Sequence, residues 1–146
     1  MKGWCRRMAT AWRAPTRPRD NEITQAYNDG VVTVYAVADA AKPGYQPLPQ
    51  LVQPPKAVLR YEEQRLGIQR FYSGKQNQVE LERVIRTPRL ACVSSQDVAV
   101  TEDGRQYRID MVQSVPDVWP ASMDLTLARV TQQYDVSKLD TGEGCP

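Results

Sequence analysis

The sequence predicts a mainly β protein, a small antiparallel β-barrel or sandwich with one short helix. Residues 106–115 and 123–130 support this prediction, because apolar side chains recur there at every second position. An acidic turn that contains a glycine, residues 102–105, precedes the first of these segments and is typical of a hairpin. Residues 31–38 are β-branched and almost continuously apolar, which favours a strand in the centre of a sheet.

The size and composition of the chain predict one domain with extended arms. The chain has 146 residues and a single phenylalanine, so the core is expected to be small. A small core with long connections often completes its burial against a partner. The net charge of +2 is too small to identify a nucleic-acid-binding protein. We expect neither a signal peptide nor a membrane span.

Three regions are predicted along the chain. Residues 1–30 form a basic arm in which six cations precede the first acid. The arm carries Trp4 and Trp12, and tryptophan interspersed with arginine is typical of a protein interface. A flexible arm, or one bound to an acidic or phosphate surface, is the alternative. Residues 31–130 form the barrel domain, and residues 131–146 form a polar tail that is either disordered or tied down on a neighbour.

A proline-rich segment, residues 39–56, interrupts the barrel domain. Its prolines are expected to prevent regular strand pairing and to favour an extended, polyproline-like backbone. We interpret it as a loop wrapped over a subunit contact, with Pro43, Tyr45 and Pro47 as interface candidates. A ligand for a peptide-recognition domain is the alternative.

The remaining elements are predicted from periodicity and from breaks in it. Strands are expected over residues 57–66 and 79–87, with a short helix between them within residues 67–78. Three apolar side chains are expected on the inner side of this helix: Ile68, Phe71 and Tyr72. The predicted barrel core comprises the apolar alternation positions Val32, Val34, Tyr35, Leu59, Tyr61, Leu81, Ile85, Val98, Val100, Tyr107, Ile109, Met111, Leu125 and Leu127.

The sequence contains no recognisable catalytic motif. Without histidine a Ser-His-Asp triad is impossible, and no Ser–Lys motif is present. The spacing from Gly67 to Gly74-Lys75 is too long for a phosphate-binding loop, and Gln76 stands where serine or threonine is required. We therefore predict a protein that is not an enzyme and that needs no cofactor.

The three cysteines, Cys5, Cys92 and Cys145, are far apart and odd in number. This spacing does not predict a disulfide framework and favours synthesis in a reducing compartment. With no histidine and no close cysteine pair, a zinc site is not expected either.

Basic and aromatic residues cluster around the predicted helix, and the cluster has three interpretations. The aromatic side chains pack inward while the cations are solvated, or a small barrel binds single-stranded nucleic acid through them. In the third interpretation, the segment lines a channel through which DNA passes, and it interacts with the DNA through charge alone. The DNA-channel candidates are Arg65, Arg70, Lys75 and Gln76.

Residues 59–130 resemble the head–tail joining, or head-closure, proteins of tailed bacteriophages. In that family a helix with aromatic and glutamine residues, here residues 70–78, precedes a strand that ends in an Ile-Arg sequence. Ile85 and Arg86 occupy that position in this chain. The resemblance covers about half of the chain.

A hairpin in the same family has the pattern Gly-x-x-Tyr-x-Ile-x-x-Val. Gly104, Tyr107, Ile109 and Val112 match this pattern, and the strand that follows carries alternating leucines, as in the family. The resemblance is one of strands and turns and includes no catalytic signature. The basic arm, the proline-rich segment and the tail have no counterpart in the short members of the family.

The resemblance implies a small β-barrel that assembles as a ring, with roughly twelvefold symmetry, at the head–tail junction of a virion. Such a protein is made in the host cytoplasm, closes the DNA-filled head and provides the platform for the tail. Its implied partners are further copies of itself, portal or adaptor proteins, a tail-completion or tail-terminator protein, and the genomic double-stranded DNA. Tyr134 and Leu139 in the tail are further interface candidates. The alternatives are an adaptor or tail-completion protein, or a small barrel that binds single-stranded nucleic acid.

Overall fold

In the computed structural model the described residues are 25–116 and 118–140, with residues 136–140 described by their backbone alone. The predicted mainly β fold with one short helix is confirmed in this part of the chain. Its elements are β1 (Gly30–Tyr35), β2 (Val37–Asp39), β3 (Pro49–Gln53), β4 (Ala57–Gln64), α1 (Ile68–Gln76), β5 (Leu81–Pro88), β6 (Val98–Thr101), β7 (Gln106–Val115), β8 (Ser122–Arg129) and β9 (Asp135–Asp140).

Six strands form a closed barrel in the order β1-β4-β5-β8-β7-β6, and every neighbouring pair is antiparallel. The pairing of β1 with β6 closes the barrel, so that the barrel has no free strand edge. The predicted turn over residues 102–105 lies between β6 and β7. Gly104 has a φ of 75°, a backbone conformation that favours glycine.

Ten of the predicted core residues are buried, and alternation places most of them inside the barrel. Residues paired across the barrel wall, such as Val32 with Leu59 and Ile85 with Leu125, have 9% exposure or less. Each fully buried side chain of this size stabilises the fold by about 1.5–3 kcal/mol. The buried predicted positions are Val32, Val34, Leu59, Tyr61, Ile85, Val98, Tyr107, Ile109, Leu125 and Leu127.

Met111 is not a core residue, contrary to the prediction, because a bulge in β7 changes the alternation. Ile109 pairs with Leu127 and Met111 pairs with Thr126, one residue earlier on β8. The extra residue turns Met111 to the outside, where it is 44% exposed. Val112 takes the inward position and packs against the core.

A second bulge, in β5, explains why Leu81 is only half-buried. Leu81 pairs with Ala128, whereas Arg83 pairs with Leu127, whose side chain lies in the barrel core. Leu81 therefore lies on the outer wall beside α1, and Arg83 takes the inward position at one mouth of the barrel.

Tyr35 and Val100 are also half-buried, contrary to the prediction. The inward positions of these strands belong to Val34 and Ala99, which pair with each other and are fully buried. Tyr35 and Val100 are their sequence neighbours and therefore point outward.

The proline-rich segment and the predicted tail contribute to a second, three-stranded sheet with the order β2-β3-β9. This corrects the expectation that the prolines of residues 39–56 prevent regular pairing. It also corrects the expectation of a C-terminal tail that is disordered or held by a neighbour, because β9 pairs in parallel with β3 of the same chain.

The three-stranded sheet lies beside the β1 side of the barrel. The hairpin of β2 and β3 connects β1 to β4, and β3 contacts β1. Tyr134, just before β9, is bound to β7. The side-chain amide of Gln106 donates to the Tyr134 carbonyl and accepts from the Tyr134 N–H. Leu51 of β3, at 1% exposure, is a core residue that the sequence analysis missed.

Strand β8 is covered on both sides. Seven of its eight residues are buried, including Asp124 and Thr126, which face away from the barrel interior. Residues 25–29 cross part of this outer surface, where Tyr27 Oη lies 2.6 Å from Ser122 Oγ.

Cys92 is disulfide-bonded, although the spacing of the cysteines predicts no disulfide framework. Its partner lies outside the described residues.

Candidate functional site

Helix α1 packs closely against the barrel wall through a glycine. Gly74 is the buried residue of the helix. A Cβ added to it would lie 2.7 Å from Leu81 Cγ and 3.1 Å from the Val79 carbonyl oxygen. Asn77 ends the helix, and Gln78 follows with a φ of 58°, which turns the chain into β5. The absence of a side chain at position 74 therefore lets the helix approach the wall.

The two faces of α1 differ from the prediction. Gln69, Arg70, Ser73, Gly74 and Asn77 face the barrel. The three apolar residues predicted to face inward lie on the other face: Ile68 is 74% exposed, Phe71 39% and Tyr72 61%. Gly74 makes the close contact on the inner side, where an added Cβ would lie 2.7 Å from Leu81 Cγ.

A cleft of about 350 Å³ lies between α1 and the outer wall of β5, β8 and β7; we call it the helix cleft. Met111, turned outward by the bulge, lines it beside Asp110 and Gln113 of the same strand. Leu81 and the buried Thr126 also line it. Thr126 Oγ1 has no hydrogen-bond partner within the described residues. Three apolar side chains, those of Val79, Leu81 and Met111, line the cleft together with seven polar or charged ones that include Arg70 and Asp110, so it is a recess of mixed character.

The four DNA-channel candidates do not share one face of the molecule. Arg70 is half-buried and donates from Nη2 to Oε1 of Gln113 on β7, so it closes one side of the helix cleft. Lys75 and Gln76 are exposed on the opposite face of α1, and Arg65 is exposed before the helix. The Lys75 ammonium lies 4.6 Å from the Phe71 ring centre, a cation–π contact.

A row of charged side chains crosses the outside of β4, β5 and β8. Arg86 stands opposite Glu62 and Asp124, and its Nε donates to Asp124 Oδ1 over 2.7 Å. This hydrogen bond, more than any other cause, raises the pKa of Arg86 above its ordinary value. Arg86 also donates to Gln25, and both members of the ion pair are largely shielded from water. We call these residues the polar row.

A second ion pair lies at the mouth of the barrel. Arg83 Nε and Nη2 donate to the Glu63 carboxylate at 3.1 Å each, and the guanidinium lies 5.8 Å from the Tyr61 ring centre. The hydrogen bonds that Arg83 donates to Glu63 raise the pKa of Arg83 above its ordinary value. The charged end of Arg83 thus closes the apolar interior at this mouth.

The loop between β2 and β3, residues 40–48, forms the tip of the second sheet; we call it the tip loop. Its conformation is fixed by Asp39, whose carboxylate Oδ1 accepts the N–H groups of Ala41 and Leu48. These two hydrogen bonds lower the pKa of Asp39. Gly44, with a φ of 90°, makes the turn that brings the Tyr45 N–H to the Lys42 carbonyl.

Several predicted interface candidates lie in the tip loop. Tyr45 is 76% exposed, and Pro43 and Pro47 are exposed beside it. Tyr134 is half-buried and bound to Gln106, so it contacts its own chain. The side chain of Leu139, and both Trp4 and Trp12, lie outside the described residues.

Sequence analysis missed the helix cleft and the polar row. The cleft depends on a bulge, and periodicity does not reveal bulges. The polar row has a signal in the sequence, since Arg86 and Asp124 are both charged positions on predicted strands, but their pairing depends on register. Within the described residues, no group of three or more cysteine and carboxylate side chains could hold a metal ion.

The chain matches no protein-family model and no curated protein. Among the described residues, no helix has the length and apolar character required to span a bilayer.

Proposed function

We propose that this protein is a structural subunit of the head-to-tail connector of a tailed-phage particle. Its copies form a ring that closes the DNA-filled head and provides the platform for tail attachment. The proposal rests on the resemblance of residues 59–130 to head-closure proteins, and on the position of apolar side chains at the surface of the fold.

The exposed apolar side chains are the observation that carries the proposal. The barrel is closed, so its strands offer no edge for pairing with another chain. Several large apolar side chains are exposed instead, among them Tyr45 and Leu48 in the tip loop and Ile68 and Tyr72 on α1. Val58 and Trp119 are exposed elsewhere on the surface. Exposed apolar groups gathered on projections are typical of protein interfaces.

The fold also favours a head-closure protein over an adaptor. A connector adaptor is expected to be mainly helical, whereas this chain is built mainly from strands. A head-closure role therefore fits the fold better than an adaptor role.

Electron microscopy of particles assembled without this protein tests the proposal. A nonsense mutation in its gene should yield separate tails beside tailless heads that have lost their DNA, and a plasmid copy of the gene should restore joined particles. Normal tailed particles from the mutant would overturn the proposal.

A second candidate function is the binding of single-stranded nucleic acid by α1. It is favoured by the exposure of Phe71 and Tyr72 beside Lys75, because bases stack on exposed aromatic rings next to cations. Fluorescence titration with an oligonucleotide tests it. Tight binding with a steep salt dependence, lost in Tyr72→Ala, supports this function, and weak binding unaffected by Tyr72→Ala excludes it.

A further inference from the structure

We propose that Cys92 forms its disulfide with Cys145, and that this bond fastens the C-terminal strand β9 and its sheet to one end of the barrel. Cys92 is disulfide-bonded in a chain that has three cysteines, so its partner is either Cys5 or Cys145. The pairing is a property of the single chain and does not depend on the connector role.

Cys92 lies in the loop between β5 and β6, residues 89–97, at one end of the barrel; we call it the end loop. Val93 in this loop is 7% exposed and belongs to the barrel core, and Cys92 packs against the same core. The carboxylate of Asp97 accepts the Ser94 N–H over 2.8 Å, which fixes the last turn of the loop. Cys92 is therefore held in place at this end of the barrel.

The second sheet reaches the same end of the barrel through β3. The Val52 N–H donates to the carbonyl of Ala36, the residue that follows β1. The last residue of β1 pairs with Val98 at the start of β6. Just after β3, Lys56 donates from Nζ to the Asp97 carboxylate at 2.8 and 3.0 Å. The last residues of β3 and the end loop are therefore neighbours.

Strand β9 runs toward this end of the barrel. It pairs with β3 in parallel, and its last residue, Asp140, stands opposite Gln53, the last residue of β3. Cys145 follows Asp140 by five residues, a length that spans at most about 18 Å. The C-terminal cysteine is thus tethered close to the barrel end that holds Cys92.

Cys5 is the less favourable partner. The first described residue after it, Gln25, accepts a hydrogen bond from Arg86 on the outer wall of the barrel, 20 residues after Cys5. The tether of Cys5 is therefore two doublings longer than that of Cys145, which lowers the probability that its end meets a fixed point about eightfold. The shorter tether at the same barrel end favours Cys145.

The bond forms and breaks by thiol–disulfide exchange. Oxidised glutathione accepts two electrons and two protons from the two cysteine thiols and leaves as two molecules of reduced glutathione. Dithiothreitol reverses the change, because its two thiols become a cyclic disulfide while Cys92 and Cys145 become thiols again. Cys5 is a thiol in both states of the chain.

The bond restrains the second sheet. Strand β9 is at the edge of the order β2-β3-β9, where β3 is its neighbour. The hydrogen bonds between Tyr134 and Gln106 hold the chain only before β9. A covalent link beyond the last residue of β9 restrains its other end, so that local opening of this strand becomes rarer.

Tryptic mapping of the full chain under non-reducing conditions tests the pairing. The protein is treated with oxidised glutathione, alkylated with iodoacetamide, and digested in mildly acidic buffer to prevent further exchange. We expect a disulfide-linked pair of peptides 90–105 and 139–146, and an alkylated peptide 3–6. A link between peptides 90–105 and 3–6, or a peptide 90–105 that is only alkylated, would overturn the pairing.

Hydrogen exchange measured by mass spectrometry tests the restraint on β9. Cys5→Ser keeps the bond and is the matched control for the double variant Cys5→Ser/Cys145→Ser, in which Cys92 has no partner. We expect the amides of β9 to exchange roughly tenfold faster in the double variant, and those of β5 and β8 in the closed barrel to exchange at equal rates in both. Dithiothreitol added to Cys5→Ser should reproduce the double variant. Equal exchange of β9 in the two variants would overturn the restraint.

Discussion

Among the described residues, Lys56 and Asp97 form one largely buried ion pair, and Arg86 and Asp124 form another. Arg86 and Asp124 lie on the outside of the barrel wall, yet their side chains are only 19% and 11% exposed. Charges shielded in this way must be paired, and removing one partner leaves the other charge without compensation. The polar row therefore depends on both residues of the pair.

Asp124→Ala is expected to lower the free energy of unfolding by about 2–3 kcal/mol, because it leaves the Arg86 guanidinium without its main acceptor. Urea denaturation measures the change. The control is Arg105→Ala, which removes a residue 69% exposed and 4.0 Å from Glu82. It should cost less than about 1 kcal/mol. Equal losses in the two variants would contradict the importance assigned to the polar row.

A second prediction at the level of a single residue concerns Gly74. Gly74→Val should destabilise the protein by about 2–3 kcal/mol, because its Cβ would lie 2.7 Å from Leu81 Cγ and 3.1 Å from the Val79 carbonyl oxygen. The control, Gln76→Val, places the same side chain on the exposed face of α1 and should cost about 0.5 kcal/mol. Thermal or urea unfolding compares them. A neutral Gly74→Val would show that the helix does not pack this closely.

Alternation along the strands predicts most of the barrel interior. It fails at Tyr35 and Val100, which lie next to inward residues in continuously apolar runs, and it fails where the pairing shifts. Val32, Ile85 and Leu125 follow the simple pattern and are fully buried. Met111 and Leu81 lie next to bulges, which one strand's sequence does not reveal because a bulge is a property of a strand pair. For the same reason the helix cleft could not be predicted, since an outward Met111 is one of its walls.

For the short helix α1, the sequence pattern predicts the position of the helix but not which of its faces packs against the barrel. Its position was predicted within about two residues, since Gly67 and the Asn77–Gln78 pair flank it. The predicted orientation of α1 is wrong, because it places the large apolar residues of the helix against the sheet. The barrel instead accepts a glycine at this point, and the aromatic residues of the helix are exposed.

The second sheet could not be predicted from local sequence. Pro49 is the first residue of β3 and Pro54 follows its last residue, so the prolines lie where they remove no central hydrogen bond. The partner β9 lies more than 80 residues away and pairs in parallel. Such a pairing leaves no short-range signal in the sequence.

The tip loop should respond to acid. The pKa of Asp39 is lowered by two backbone N–H donors, so the folded loop favours the charged carboxylate. The stabilisation is therefore complete above the ordinary aspartate pKa of 3.8 and is lost as pH falls through the lowered value. The amide proton chemical shifts of Ala41 and Leu48 should be constant from neutral pH to about pH 4.5 and change below it.

Asp39→Ala should move the amide proton shifts of Ala41 and Leu48, at every pH, to the values expected when these amides make no hydrogen bond to a carboxylate. Asp103→Ala, in the exposed turn between β6 and β7, serves as the matched control and should leave the tip loop unaffected. If the Ala41 and Leu48 shifts in the original chain did not depend on pH below 4, the carboxylate would not hold the loop.

At the scale of the whole molecule, the fold separates a closed core from the parts available for contact. The six-stranded barrel buries its own edges, whereas the tip loop and α1 carry exposed apolar side chains on opposite sides. A subunit of this form can associate laterally without opening its core.

The most direct measurement is electron cryomicroscopy of the neck of the particle whose genome encodes this chain, with the barrel docked into the reconstruction. We predict a ring of barrels between the head and the tail. A neck in which no density accommodates the barrel would contradict the account.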